Sequence, residues 1–315
     1  MSFKRTIIAG FGAALLMGPG SALAADPASC RAVTFSDVGW TDITATTATA
    51  TVLLEGLGYQ PEVQVLSVPV TYASLKNKDI DIFLGNWMPT MEADIAPYRE
   101  DGSVETLVTN LEGAKYTLAV PQYTYEAGLT SFEDIADFRE ELDGKIYGIE
   151  PGNDGNRLIL DMIENDMFGL SSFELVESSE AGMLAQVRRA TQNKSHIVFL
   201  GWEPHPMNAN IDMEYLEGGD EVFGPDFGGA TVHTNVWTGF TEQCPNLGQL
   251  LHNLVFSLEM ENEIMGAILD DGQAPEAAAT AWIKENPEVL DAWLDGVTTF
   301  QGEDGLEAVK AHLGL

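Results

Sequence analysis

Three tryptophans share one setting in this sequence. Trp40, Trp87 and Trp202 each lie close to a glycine, at the end of an apolar run that predicts a β-strand. Ligands of open α/β sheets bind at the carboxyl ends of the strands, so aromatic side chains at that edge can form a site. A single tryptophan in such a place is more often part of the core, whereas three in equivalent places favour a binding site.

Aromatic faces that converge on one point suit a quaternary ammonium, a cation that cannot donate ordinary hydrogen bonds. Each face can attract such a cation by about 2 kcal/mol once water is excluded, and burial of the methyl groups adds to this. Asp42, two residues after Trp40, could supply a counter-charge, and it could also cap the helix that begins there. Tyr116, on another predicted strand, could complete the set of aromatic faces.

The sequence contains none of the local motifs that usually carry catalysis or cofactor binding. It lacks G-x-x-x-x-G-K-[ST], H-E-x-x-H and G-x-S-x-G, and its five histidines have no metal-ligand spacing. The segment Gly152–Asn156 lacks the glycine spacing of a dinucleotide site and predicts a tight strand-to-helix turn with Asn153 at a cleft edge. We therefore expect no enzyme activity, no cofactor and no metal ion.

Residues 1–24 have the three parts of a secretory signal peptide in order. Lys4 and Arg5 form a basic region, Ile7–Met17 is apolar, and Ala22-Leu23-Ala24 is a typical cleavage site. We expect export and a mature, soluble chain that begins near residue 25. The two cysteines, Cys30 and Cys244, both lie in the exported part and are candidates for a disulfide, with two free thiols as the weaker alternative.

The charge of the chain excludes two classes of partner. Lys and Arg total 15 against 49 Asp and Glu, for a formal net charge of −34. Such a chain repels nucleic-acid phosphates and offers no polybasic segment for an anionic membrane surface. The acidity is explained by solubility in a salty medium or by attraction of cations, and the sequence leaves both open.

Strand-like and helix-like segments alternate along most of the chain, which predicts an α/β fold with largely parallel sheets and flanking helices. A disulfide would join the beginning of the mature chain to its last third. We therefore expect two lobes, the first made of residues 25–116 and 223–315 and the second of the inserted residues 117–222. Strand-like segments near residues 115–120 and 220–232 would cross between them as hinges.

These residues resemble a known family, the substrate-binding proteins of ABC importers that take choline, glycine betaine or proline betaine, and most closely its choline-binding members. Five motifs carry the resemblance: Gly39-Trp40-Thr41-Asp42, Gly85-Asn86-Trp87-Met88-Pro89, Lys115-Tyr116, Gly152-Asn153-Asp154-Gly155-Asn156 and Gly201-Trp202-Glu203-Pro204-His205-Pro206. The resemblance covers essentially the whole mature chain. It implies a two-lobed periplasmic binding protein of type II that closes about a hinge, acts with a membrane permease and is monomeric.

The resemblance also implies a ligand site. The trimethylammonium group would lie in an aromatic box of three tryptophans and one tyrosine: Trp40, Trp87, Trp202 and Tyr116. Asp42 and Asn153 would hold a ligand hydroxyl, and the family's disulfide fits Cys30 with Cys244.

Four alternatives stay open at this stage. A glycine betaine or proline betaine binder would need donors for a carboxylate, and His205 resembles a residue that serves this purpose in betaine-binding relatives. Asp42 would repel such a carboxylate, so choline is favoured. Acetylcholine needs only modest extra room. An exported enzyme acting on a choline ester would need a nucleophile with a base, and no local signature in the sequence supplies one. A purely structural acidic protein would leave the three tryptophans unexplained.

Overall fold

The structure, a computed structural model, describes residues 26–315, and the signal peptide expected at residues 1–24 lies outside them. The strands are β1 (Ala32–Asp37), β2 (Gln60–Val65), β3 (Ile82–Met88), β4 (Val104–Pro121), β5 (Lys145–Tyr147), β6 (Glu174–Val176), β7 (Phe199–Glu203), β8 (Met213–Tyr215) and β9 (Gly229–Trp237). The α-helices are α1 (Thr41–Gly56), α2 (Val68–Asn77), α3 (Glu92–Glu100), α4 (Gln122–Glu126), α5 (Asp154–Glu164), α6 (Glu180–Asn193), α7 (Met207–Asn210), α8 (Asp220–Phe223), α9 (Pro225–Gly228), α10 (Phe240–Gln243), α11 (Pro245–Asn253), α12 (Leu258–Leu269), α13 (Pro275–Glu285), α14 (Val289–Trp293) and α15 (Gly305–Leu313).

The strands form one sheet with two parallel halves. The strand order is β2-β1-β3-β9-β4-β7-β5-β6, with β8 paired to β4. Pairing is parallel within β2-β1-β3 and within β7-β5-β6, and antiparallel where β9 and β4 join the halves. The expected parallel pairing therefore occurs inside each half, and the two long strands between the halves supply the antiparallel part.

Strand β4 connects the two halves and changes its partner along its length. Its first part pairs with β9 as far as Lys115, and from Lys115 to Ala119 it pairs with β7. Tyr116 is thus the first residue after the change, directly opposite Trp202 in the register of β4 and β7. A residue at this point can contact both halves of the sheet.

The second predicted crossing differs from the expected strand. Residues 220–228 form the short helices α8 and α9, and β9 begins only at Gly229. Gly224 has a φ of +120°, and Pro225 has no N–H to donate to a sheet, so extended pairing cannot run through them. The lobe boundaries at residues 117 and 222 stay a prediction.

Two of the three tryptophans lie within strands rather than beyond them. Trp87 pairs with Val232 inside β3, and Trp202 lies inside β7. The glycines before them predict strand ends, yet they serve close packing: a Cβ at Gly85 would come within 2.8 Å of the Ile43 side chain. Only Trp40 follows the end of its strand.

Helix α1 carries Trp40 and Asp42 at its start and is buried over almost its whole length. The Thr46 and Thr49 hydroxyls donate to the helix carbonyls of Asp42 and Ala45. Within the described residues, the buried Thr47 and Thr51 hydroxyls form no hydrogen bond. The helix packs against α12, α13 and α15. This surrounding core fixes the end of the helix that faces the site.

Cys30 and Cys244 form the disulfide that the sequence predicts, with Cα atoms 5.8 Å apart and a sequence separation of 214. The bond ties the start of β1 to the region of α10 and α11. Of the residues that the structure describes, none belongs to a helix long and apolar enough to cross a membrane.

Reduction of this disulfide is expected to destabilise the protein strongly, because so long a loop in the unfolded chain is no longer restrained. The chain-entropy relation gives about 5 kcal/mol, and measured losses are typically about 2–5 kcal/mol. Urea unfolding of the protein and of the Cys30→Ser/Cys244→Ser variant measures the difference. Equal midpoints and slopes for the two would contradict the expectation.

Candidate functional site

The six principal residues predicted from the sequence line one cavity. They are Trp40, Asp42, Trp87, Tyr116, Asn153 and Trp202, joined by Ile149. Each of the six is at most 5% exposed. The cavity is therefore lined by four aromatic side chains, one carboxyl group, one amide and one aliphatic side chain.

Trp40 and Asp42 reach the cavity because the chain turns sharply between β1 and α1. Gly39 makes this turn with a φ of +84°, a conformation that favours glycine. Its N–H donates to the Asp37 carboxylate at 2.7 Å. Trp40 then has the extended backbone of an N-cap residue, and Asp42 lies in the first turn of the helix.

Asp42 has one oxygen with a partner and one without. The Trp87 indole Nε1 donates to Oδ2 at 3.1 Å, which links the helix to strand β3. Among residues 26–315, no group forms a hydrogen bond with Oδ1, although this oxygen is buried. A buried carboxylate oxygen normally has a partner, so Oδ1 is suited to a donor on a ligand.

Tyr116 holds the middle of the aromatic box. Its ring centroid lies 6.0 Å from that of Trp87 and 6.3 Å from that of Trp202, with the latter pair at 83°. The Tyr116 hydroxyl donates to Asn153 Oδ1 at 3.1 Å. Burial raises the pKa of Tyr116 well above its ordinary value, so this hydroxyl stays protonated.

Asn153 has only donor capacity left for a ligand. It is the N-cap of α5, and its Oδ1 accepts from the Asn156 N–H at 2.8 Å as well as from Tyr116. Its Nδ2 donates one hydrogen to Asp154 Oδ1 at 3.1 Å. Both lone pairs of Oδ1 are then used, and one N–H of the amide remains.

The acidic groups around the cavity raise one another's pKa values. Burial, and then the charge of Glu180, raise the pKa of Asp42 to about 8. Burial, and then the charge of Asp42, raise the pKa of Glu261 well above its ordinary value. Burial also raises the pKa of Asp154 to about 6. A cation in the cavity would relieve this repulsion and favour the carboxylate of Asp42.

His205 does not line the cavity, contrary to the role that the sequence suggested for it. Its Nδ1 accepts from the Met207 N–H at 2.9 Å, so Nε2 carries the hydrogen and donates to Glu180 Oε1 at 3.1 Å. Both ring nitrogens are occupied, and neither is free for a ligand carboxylate. The ring instead packs edge-on against Trp202, with centroids 4.8 Å apart.

The sequence did not single out three residues that shape the site: Ile149, Thr41 and Glu180. Ile149 lies in an ordinary apolar segment. The sequence around Glu180 indicates only an acidic residue in the first turn of α6. Glu180 contacts Thr41 across 139 positions of sequence. A contact between residues so far apart leaves no local pattern that could reveal it.

Gly155 leaves the space that the Tyr116 hydroxyl occupies, because a Cβ at this position would overlap that oxygen. Gly155→Ala is expected to displace Tyr116 and to weaken ligand binding. Gly266, a helical glycine at which an added Cβ would meet nothing within 4 Å, is the matched control. Gly266→Ala should leave binding unchanged and add up to about 1 kcal/mol of stability. Equal affinities in a thermal-shift titration of both variants would contradict this effect of packing.

Comparison with known proteins places this site in a family. Residues 31–285 match the family described as the substrate-binding domain of ABC-type glycine betaine transport systems.

Within the described residues, no group of three or more His, Cys, Asp or Glu side chains is arranged to hold a metal ion.

Three solved structures are similar to this chain. An ABC-transporter choline-binding protein in complex with choline is 69% identical, has a TM-score of 0.91 and matches 92% of this chain and 100% of its own. The unliganded, semi-closed form of an ABC-transporter choline-binding protein is also 69% identical, with a TM-score of 0.85 over 91% of this chain and 100% of its own. The lactococcal OpuAC protein with glycine betaine is 26% identical, with a TM-score of 0.75 over 84% and 99%.

These similarities confirm the α/β fold of a type II periplasmic binding protein and a function in binding rather than catalysis. The chain belongs to the family of substrate-binding domains of ABC-type glycine betaine transport systems.

Proposed function

We propose that this protein captures choline in the cavity and delivers it to the membrane permease of an ABC importer. It would act in the periplasm, as a monomer, after removal of residues 1–24. The family and the 69% identical choline complex support this proposal, and the polar groups of the cavity carry it furthest.

The single observation that carries the proposal is the pairing of an acceptor and a donor beside the aromatic box. Asp42 Oδ1 can accept one hydrogen bond, and Asn153 Nδ2 can donate one. An alcohol oxygen donates and accepts at once, so a hydroxyl satisfies both groups. A carboxylate only accepts, and it would leave Asp42 without a donor.

The aromatic box accounts for the cationic end of choline. Trp40, Trp87, Tyr116 and Trp202 line the cavity with largely apolar surface, which is the kind of surface that suits three methyl groups. Each aromatic face contributes about 2 kcal/mol to the attraction of a desolvated cation. The ionised Asp42 adds a negative charge in a region from which water is excluded, where Coulomb attraction is stronger than in solvent.

Delivery would depend on closure of two lobes around the ligand. With the predicted boundaries, Trp40, Asp42 and Trp87 belong to the first lobe and Asn153 and Trp202 to the second. Ligand that contacts both lobes favours the closed state, which the permease then recognises. The structure is more similar to the choline complex, with a TM-score of 0.91, than to the unliganded semi-closed form, with a TM-score of 0.85.

Glycine betaine is the second candidate, supported by the family description and by the lactococcal relative that was solved with it. The raised pKa of Asp42, about 8, offers a way to accommodate it, because a protonated Asp42 could donate to a carboxylate. Such binding would require a proton for each ligand. Acetylcholine differs from choline by lacking the hydroxyl hydrogen that Asp42 would accept.

Calorimetric titration of residues 25–315 with choline, glycine betaine and acetylcholine at one pH tests the proposal. We expect the tightest binding for choline. Tighter binding of glycine betaine would retain the aromatic box and overturn the role given to Asp42. Absence of heat, and of any rise in melting temperature, with all three would overturn the proposed function.

A further inference from the structure

Glu180 forms a buried contact between the two predicted lobes, beside the cavity but outside it. The residue is 3% exposed. Its Oε2 accepts from the Thr41 N–H at 2.8 Å, and its Oε1 accepts from the Thr41 hydroxyl at 2.6 Å and from His205 Nε2 at 3.1 Å. Three donors therefore converge on one carboxylate, which is the arrangement expected for a buried carboxylate with satisfied oxygens.

The contact with Thr41 completes the start of helix α1. The first N–H groups of a helix have no partner within it and are usually capped by a short polar side chain. The N-cap residue here is Trp40, whose side chain makes no cap hydrogen bond. Its indole carries a donor and no acceptor, so it cannot perform this task. Glu180 accepts from the helix start instead, from a different part of the chain.

The contact with His205 extends the link to the other side of the cavity. The Met207 N–H fixes His205 as the tautomer with hydrogen on Nε2, and Glu180 accepts that hydrogen. The imidazole packs against the Trp202 ring. One carboxylate thus connects the segment that bears Trp40 and Asp42 to the residue that supports Trp202.

Other acidic groups lie around Glu180, so its position has to be maintained against repulsion. Its charge raises the pKa of Asp37, Asp42 and Glu150, in each case after burial as the larger cause. Its own N–H donates to Glu150 Oε1 at 2.9 Å. A cation in the cavity would offset part of this repulsion, which connects the contact to the ligand.

We propose that Glu180 is a positioning residue that caps helix α1 across the cleft when the lobes close, and so holds Trp40 and Trp202 in register around the ligand. The inference rests on the proposed function, since it needs lobes that close on a cation. It assigns Glu180 no contact with the ligand. Loss of this residue should therefore act on the lifetime of the closed complex.

Glu180→Gln tests the inference with a side chain of the same shape. One glutamine oxygen cannot replace two carboxylate oxygens, because its NH₂ group would face either the Thr41 N–H or the Nε2–H of His205. Stopped-flow tryptophan fluorescence with choline is expected to show dissociation at least about tenfold faster, with little change in association. Glu259→Gln is the matched control: Glu259 is exposed and lies in the first turn of α12.

A double-mutant cycle separates the link from a general loss of stability. If Glu180 acts through Thr41, Thr41→Val combined with Glu180→Gln should weaken choline binding much less than the product of the single effects. Independent, multiplying effects, or a dissociation rate for Glu180→Gln equal to that of the unmodified protein, would overturn the inference.

A second measurement needs no ligand and distinguishes this inference from the proposed function. Spin labels at Asn77 and Asn165, both exposed, report the distance between the lobes. Glu180→Gln is expected to shift the ligand-free distance distribution towards longer values, and Glu259→Gln is not. If choline fails to bind while this shift occurs, the proposed function is wrong and the contact stands. Unchanged distances together with unchanged dissociation would refute the role of Glu180.

Discussion

Trp202→Leu is expected to weaken choline binding by about 10- to 100-fold. Leucine keeps an apolar side chain against Tyr116 and His205 but removes one aromatic face from the cation. A desolvated face is worth about 2 kcal/mol, and a tenfold change in affinity corresponds to about 1.4 kcal/mol. Trp202 is suited to this test because its indole nitrogen, unlike that of Trp87, has no hydrogen bond to Asp42. Calorimetry measures the two dissociation constants.

Two further variants separate the aromatic face from the volume of the side chain. Trp202→Phe keeps a π-face and should retain more affinity than Trp202→Leu. Trp282→Leu is the control, since Trp282 is half-buried on α13 and its indole donates to Glu263, away from the cavity. If Trp202→Leu bound choline as tightly as Trp282→Leu, cation–π attraction at Trp202 would make no measurable contribution to choline affinity.

Choline affinity is expected to rise with pH up to about pH 8 and then to level off. Burial and the charge of Glu180 raise the pKa of Asp42 to about 8. A bound cation favours the carboxylate, so binding below that pH releases a proton, and affinity can change by at most about tenfold per pH unit. Titrations in buffers of different ionisation enthalpy count the released protons.

Asp42→Asn should remove this pH dependence and weaken choline binding by about 10- to 100-fold, since a hydrogen bond to a charged group is lost. Glycine betaine should show the opposite slope, because a protonated Asp42 suits its carboxylate. In the ligand-free protein, Asp42 lowers the free energy of unfolding as pH rises from about 4 to about 8, because the folded state retains the proton longer. A choline affinity that is equally pH-dependent in Asp42→Asn would show that another group titrates.

The sequence predicts the elements whose ends carry local signals. Helices α1 (Thr41–Gly56) and α13 (Pro275–Glu285) carry such signals, since glycines lie at the end of the first and a proline begins the second. Glycine was misleading inside strands. Pairing continues through Gly201, and it resumes at Asn86 after a register shift at Gly85. Both glycines allow close packing against neighbouring side chains.

The main residues of the candidate site were also predictable, since motifs with distinctive neighbours contain all of them. Their aromatic and polar side chains indicate cation binding and hydrogen bonding before any geometry is known. His205 was placed differently because its role depends on two contacts, with Met207 nearby and with Glu180 25 positions away. The link from Glu180 to Thr41 joins distant segments, and only the folded chain reveals it.

Comparison of choline with its uncharged isostere, 3,3-dimethylbutan-1-ol, is the most direct test of cation recognition by the aromatic box. The two molecules share their shape and hydroxyl group and differ in charge, so hydrophobic burial and the hydrogen bonds to Asp42 and Asn153 are held constant. Calorimetric titration at pH 8 is expected to show choline binding at least about 100-fold more tightly, because several aromatic faces and the Asp42 carboxylate attract only the cation. Equal affinities for the two alcohols would contradict cation recognition and leave a cavity that selects by shape alone.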